Sequence, residues 1–186
     1  MPVSVSVNRH ESSFALMGRI VISAAFALLL AAPAAAQEQP ANPFAARLLD
    51  AHNAARADAG VPPLRWSAQQ AAEAQAWADH LAELARMEHS DRWDRNGAGE
   101  NLWMGTAGRY SAEFMVGAFV AEAQHFRDGV FPNVSRTGQW RDVGHYTQVI
   151  WRDTQEVGCA VARGERDDFL VCRYFPAGNT YDQPVR

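Results

Sequence analysis

The chain of 186 residues contains no lysine, so all 17 of its basic residues are arginine. It has no basic run, and its formal charge is −4. A nucleic-acid partner needs a clustered positive face to neutralise phosphates, so that class of function is set aside. Cysteine is scarce: Cys159 and Cys172 are the whole supply, which excludes a disulfide-dense scaffold and allows one bridge within the chain. There is no His-Glu-x-x-His helix and no nucleophile-elbow motif. A helix that crosses a membrane needs roughly 20 apolar residues, and the run Ile20 to Leu30 is shorter.

That run follows Arg19 and precedes Ala34-Ala35-Ala36. A charged start, an apolar centre and a small-residue cleavage site make residues 1–36 a predicted secretory signal peptide, with an uncleaved anchor as the alternative. Met17 would begin a more compact leader. Arg9, Arg19 and Glu11 give the first 36 residues a net +1, which leaves −5 for the 150 residues from Gln37 onward. Export implies a secreted, extracellular or periplasmic protein with no stable membrane insertion of the mature chain. Alanine and arginine richness with a compact leader points to a bacterial source. A composition of 48% hydrophobic and 20% charged residues fits one soluble domain, taken as a monomer.

After a polar leader over 37–43, Pro43 opens a predicted helix with Phe44, Leu48, Ala51 and Ala55 at helical spacing, ending near Gly60. His52 on this helix is read as structural. Ser67 and Gln70 form a capping signature for a second helix running to about Met87. Its buried face is Ala71, Ala74, Ala78 and Leu81, while Glu73, Asp79 and Glu83 face solvent. His89 then sits at a helix end, where a cation is favoured by the dipole. Trp93 must find cover in the polar stretch that follows. Ser111 caps a third helix to about Phe126, with Phe114, Ala118, Ala121 and Glu122 on one face and His125 exposed. A carboxylate on an apolar face must be paired or metal-bound, which singles out Glu122. Arg127 to Val143 is a long loop, and Asn133-Val134-Ser135 within it fits a glycosylation sequon.

The stretch Gly144-His145-Tyr146-Thr147-Gln148-Val149-Ile150-Trp151 is the centre of the reading. Gly144 is expected to let the backbone turn sharply and aim His145 into a cleft, with Val149, Ile150 and Trp151 anchored in the core. His89, Glu100 and Glu122 are the residues suited to meet it. Two imidazoles and two carboxylates in one pocket make either a divalent-metal site or an acid/base site.

A hairpin follows, Val157 to Val161 and Phe169 to Tyr174 joined by Gly164-Glu165-Arg166-Asp167. If Arg163 faces Asp168, then Val161 faces Leu170 and Cys159 faces Cys172. Opposite Cβ atoms lie roughly 4.5–5.5 Å apart, close enough to bridge, so a disulfide is predicted over free buried thiols. Pro176-Ala177-Gly178-Asn179 breaks the sheet.

Several of these segments together resemble the CAP superfamily: cysteine-rich secretory proteins, insect antigen 5 and plant pathogenesis-related proteins of the first class. The matches are Ala51-His52-Asn53 with Arg56, Gly60-Val61-Pro62-Pro63-Leu64-Arg65-Trp66, His89-Ser90, Gly99-Glu100-Asn101-Leu102, Gly144 to Trp151, Val157-Gly158-Cys159-Ala160 and Cys172 to Asn179. They run in the family's order over residues 44–181, and the CAP (SCP) domain is placed at 44–183. The resemblance implies an α+β fold, a three-layer α-β-α sandwich with a small antiparallel sheet between helices. It also implies a cleft lined by His89, Glu100, Glu122 and His145. Around Glu122 the family has a Trp three residues before and an aromatic four after, where this chain has Phe119 and Phe126.

Three functions follow from this reading. The first is a secreted binding module, with His89 and His145 holding Zn2+ or another divalent metal and the glutamates supporting them. Two protein ligands imply modest metal affinity. Some relatives are implied to bind sterol or lipid, and Trp93, Trp103, Phe131 and Trp140 motivate a lipid, sterol or peptide ligand here. The second is a metal-dependent hydrolase with Glu100 or Glu122 as general base, for which Glu100→Gln would abolish turnover and leave folding intact. Ser90 beside His89 is a weak nucleophile candidate. The third is a structural extracellular interaction domain whose polar cluster holds the fold.

Overall fold

Pro43 occupies the first turn of a helix, and the Asn42 side chain accepts the Ala45 N–H at 2.9 Å to cap it. The structure, a computed structural model, describes residues 39, 40 and 42–186. The predicted signal peptide and residues 37, 38 and 41 of the 37–43 leader lie outside the described residues. Among the described residues there are four α-helices: α1 Pro43–Asp58, α2 Ala68–Leu84, α3 Ala112–Val120 and α4 Gly144–Val149. Four strands among the described residues form one sheet: β1 Arg65–Trp66, β2 Gly99–Thr106, β3 Glu156–Arg163 and β4 Asp167–Phe175, in the order β1-β3-β4-β2. The sheet is antiparallel apart from the two-residue β1, which pairs parallel with β3. Among the described residues no helix is long and apolar enough to cross a membrane.

The fold is the α-β-α sandwich that the sequence implied. Side chains alternate across a strand, so β4 feeds two cores. Phe169 and Val171 meet Ala74, Ala78 and Leu81 of α2 on one face. Leu170, Cys172 and Tyr174 meet α1, α3 and α4 on the other, beside Leu48, Met115, Phe119 and Ile150. The approach of α2 to β3 needs a glycine. A Cβ on Gly158 would lie 2.1 Å from the Ala71 nitrogen and 2.5 Å from the Gln70 carbonyl carbon.

The hairpin has the register derived from its loop: Arg163 faces Asp168, Val161 faces Leu170 and Cys159 faces Cys172. The Gly164 N–H closes the turn on the Asp167 carbonyl at 2.8 Å, and the two cysteines form the disulfide.

Several expectations change. The second helix stops at Leu84, where Ala85 takes a left-handed conformation (φ 51°), so His89 lies in coil and the helix dipole does not act on it. The third helix ends at Val120 and tightens into a 3-10 turn, Ala121–His125, that carries Glu122. Its buried face is Ala112, Met115, Val116 and Phe119, while Phe114, Ala118 and Ala121 are exposed. Phe114 instead stacks on Tyr110 and meets Trp103 edge-on, a small aromatic group that draws it away from the core. Trp93 finds no cover: it is 81% exposed on a 3-10 turn, Arg92–Arg95. Glu73 is half-buried rather than solvated, with one oxygen enclosed. His125 and the sequon residue Asn133 are exposed.

Candidate functional site

Gly144 has an ordinary helical backbone (φ −64°), so the sharp turn expected of it is absent. Its requirement is space, because a Cβ there would sit 3.2 Å from the Trp140 ring. The segment is the short helix α4, with Val149, Ile150 and Trp151 buried as anchors. His145 lies in its first turn. Its Nδ1 is 2.6 Å from Glu122 Oε1, and Glu122 Oε2 accepts the backbone N–H groups of His145 (2.9 Å) and Tyr146 (3.1 Å). Glu122 therefore fixes both the ring and the start of its helix. Phe119 stacks on the imidazole with ring centroids 5.2 Å apart.

The second pair repeats the arrangement from other elements. His89, in the coil after α2, places Nδ1 2.6 Å from Oε1 of Glu100 on β2. Glu100 also accepts the Ser90 N–H at 3.1 Å and the Ser90 hydroxyl at 3.0 Å. Arg95 lies 3.3 Å and Arg173 3.2 Å from its two oxygens. Burial alone would push the Glu100 carboxyl up. The His89 hydrogen bond and the Arg95 and Arg173 charges outweigh it and hold the group below the usual carboxylate range.

A carboxylate only accepts, so Nδ1 carries the proton in both histidines. In the neutral rings the lone pair is then on Nε2, and neither Nε2 has a hydrogen-bond partner among the described residues. His89, Glu100 and His145 line one cleft of about 780 Å³, and Glu122 stands behind His145. The residues form two His–Glu pairs rather than one tight cage. Among the described residues, the group of possible ligands that comes within 4.8 Å of one another is His52, Cys159 and Cys172. Those sulfurs are bonded to each other and offer no thiolate.

His52 is structural, as read from the sequence. It is fully buried, with Nδ1 donating to the Leu48 carbonyl at 2.7 Å and Nε2 taking the Tyr174 hydroxyl at 2.8 Å. Burial lowers its pKa to about 4. Ser90 is bound to Glu100 and Arg95 rather than activated by a histidine. The hydrolase reading required Glu100→Gln to leave folding intact, and against that requirement stands the carboxylate's pairing with two half-enclosed or buried guanidinium groups.

Sequence reasoning missed Arg95 and the role of Arg173, and it noted Phe119 beside Glu122 without giving it a role. Arg173 had a readable signal: it shares β4 parity with the inward-facing Phe169 and Val171. Arg56 was noted as a motif residue without a role. It is fully buried and donates to the carbonyls of Pro62, Val149, Trp151, Arg152 and Thr154, which ties α1 to the chain leaving α4. The aromatics that motivated a lipid ligand do not share a surface. Phe131 is buried between Trp140, Trp151 and Tyr181, and Trp103 packs with Tyr110 and Phe114.

The family model described as "CAP: Cysteine-rich secretory protein family" matches residues 49–174. Pathogenesis-related protein 1C of Nicotiana tabacum is 40% identical over 132 residues, 70% of this chain and 74% of that one. Golgi-associated plant pathogenesis-related protein 1 of Homo sapiens is 30% identical over 141 residues, 75% of this chain and 87% of that one. The solved structure titled "Crystal structure of NaASP2 with Zn2+" has the same fold, with a TM-score of 0.64 at 23% identity over 76% of this chain and 84% of that one. These relatives are plant and animal proteins and lend no support to the bacterial source expected from composition.

Proposed function

The chain belongs to the cysteine-rich secretory protein (CAP) family and is of the pathogenesis-related class-one type, and from that premise we propose that it is an extracellular binding module with a divalent-metal cleft. The secretory family and the disulfide both support an oxidising, extracellular setting. His89 and His145 are the metal ligands, through Nε2. Glu100 and Glu122 hold the rings by Nδ1, the usual arrangement of a carboxylate behind a metal-bound histidine. The observation that carries the reading is the repeated 2.6 Å contact from Nδ1 to a carboxylate in two histidines that line the same cleft. Zinc suits neutral imidazole nitrogen, and the bound metal would act as a Lewis acid with positions open to solvent or ligand. NaASP2, a protein of the same fold, has been crystallised with Zn2+.

The hydrolase alternative has less support. Both oxygens of Glu100 and of Glu122 are already engaged. A general base works best with a pKa near the operating pH, and Glu100 is displaced the other way. A sterol or lipid would be better placed away from this cleft, in the apolar groove of about 390 Å³ between α1, α2 and β3, beside Phe44, Leu48 and Trp66.

The test is thermal unfolding in chelator and then with added zinc, for the wild type and for His89→Ala/His145→Ala. A zinc-dependent rise in midpoint that the double variant lacks supports the metal cleft. An equal response in both overturns it. A double variant destabilised equally in chelator and in zinc, beside a wild type without a zinc response, favours the purely structural reading.

A further inference from the structure

The protein is acidic, yet its cleft is not. The lining includes Arg92, Arg95 and Arg141 and both site histidines, against Glu100 as its one carboxylate. Glu100 is already balanced by Arg95 and Arg173. Arg92 and Arg141 are exposed and have no carboxylate partner among the described residues. The acids nearest in sequence do not line the cleft: Asp91 caps the Trp93 N–H at 2.9 Å, Asp94 is exposed, and Asp142 takes the Thr137 hydroxyl at 2.5 Å.

Each free guanidinium lies over a neighbouring indole, Arg92 at 5.5 Å from the Trp93 centroid and Arg141 at 5.0 Å from that of Trp140. The two Arg–Trp pairs come from different 3-10 turns, Arg92–Arg95 and Trp140–Val143, and their arginines line the same cleft. Trp140 lines the cleft itself and Tyr181, 60% exposed, adds a second large ring to the lining, while Trp93 stands beside it under Arg92. An 81% exposed Trp93 has no packing role to explain it. Flat rings stack on the C–H faces of sugars, and guanidinium forks pair with carboxylate. The geometry points to an acidic oligosaccharide, sugar rings bearing carboxylates, as the ligand of this cleft. This deepens the metal-cleft reading and rests on it for the location of the site. A bilayer surface is disfavoured because Arg92, Arg141, Trp140 and Tyr181 line a concave cleft.

The test uses protein purified from expression of the full chain. Binding of a galacturonate oligosaccharide is measured by calorimetry in chelator, beside a neutral glucose oligosaccharide of equal length and vesicles containing phosphatidylserine. The acidic oligosaccharide binds, more weakly as salt rises, and the neutral one does not. Arg92→Gln/Arg141→Gln weakens binding by about tenfold or more, and Trp93→Ala weakens it as well. Both variants keep the zinc-dependent rise in midpoint, so loss of sugar binding and loss of metal binding are read separately. Equal binding of neutral and acidic oligosaccharides, wild-type affinity in the double arginine variant, or binding to vesicles alone overturns the assignment.

Discussion

Glu100 on β2 and Arg173 on β4 stand directly opposite each other in the sheet, and their side chains pair at 3.2 Å with 0% and 5% of their surfaces exposed. The carboxylate that orients a cleft histidine is thus the same one that neutralises a buried cation of the sheet. Site and scaffold share a single charge.

Glu100→Gln is therefore expected to destabilise the protein by about 3 kcal/mol, the usual cost of stranding one partner of a buried ion pair. Denaturant unfolding in chelator measures it. A change under about 0.5 kcal/mol, the range of ordinary surface substitutions, would show that the network carries no stability.

Acid should act through two buried groups of known sign. The His52 pKa falls from 6.5 to about 4, chiefly by burial, so the unfolded chain binds a proton that the folded ring refuses across that window. Stability then drops by roughly 3 kcal/mol as pH falls from 6.5 to 4, and this contribution levels off below 4. Glu100 is held below its ordinary 4.5, so its contribution is present above that value and is lost as pH falls through the folded pKa. Urea unfolding from pH 7 to pH 3 should show both limbs, and His52→Gln should remove the upper one. A flat profile between pH 6.5 and 4 in the wild type would contradict the His52 account.

Replacing Cys159 and Cys172 together by alanine should cost about 3 kcal/mol, the value for a bridge closing a short loop. The two residues are 13 apart in sequence. The readout is the urea midpoint of the double variant against the oxidised wild type, and coincident midpoints would refute the estimate.

Two glycines should respond oppositely to alanine. Gly158→Ala has no room against α2 and should lose about 2 kcal/mol or more through overpacking. Gly117 lies within α3, and a Cβ there meets nothing within 4 Å. Gly117→Ala should raise stability by up to about 1 kcal/mol. Thermal midpoints of the pair, measured side by side, check both signs.

Where one local rule decided the structure, the sequence was easy to read. The four-residue loop from Gly164 to Asp167 set the pairing of every residue in the hairpin and so the disulfide. Ser67 marked the start of α2, and its alanines marked the packed face. Reading failed where distant contacts overrode a local pattern. The face of α3 was assigned one step out, because Phe114 is claimed by Tyr110 and Trp103 rather than by the core. Gly144 looked like a turn residue but serves to admit Trp140. His89 and Glu100 were singled out from sequence, but Arg95 was not, since a lone arginine in a loop looks the same in sequence whether solvated or enclosed, and the one cue to Arg173 was its strand parity with Phe169 and Val171.

The five acceptors of Arg56 are all backbone carbonyls. Such an anchor reads no side chain in the segment it holds. Positions such as Arg152 can change identity without touching the clasp, because every residue offers the same oxygen. The whole demand for specificity falls on one position, and a chain that keeps Arg56 is free to vary the surface of the loop it fastens.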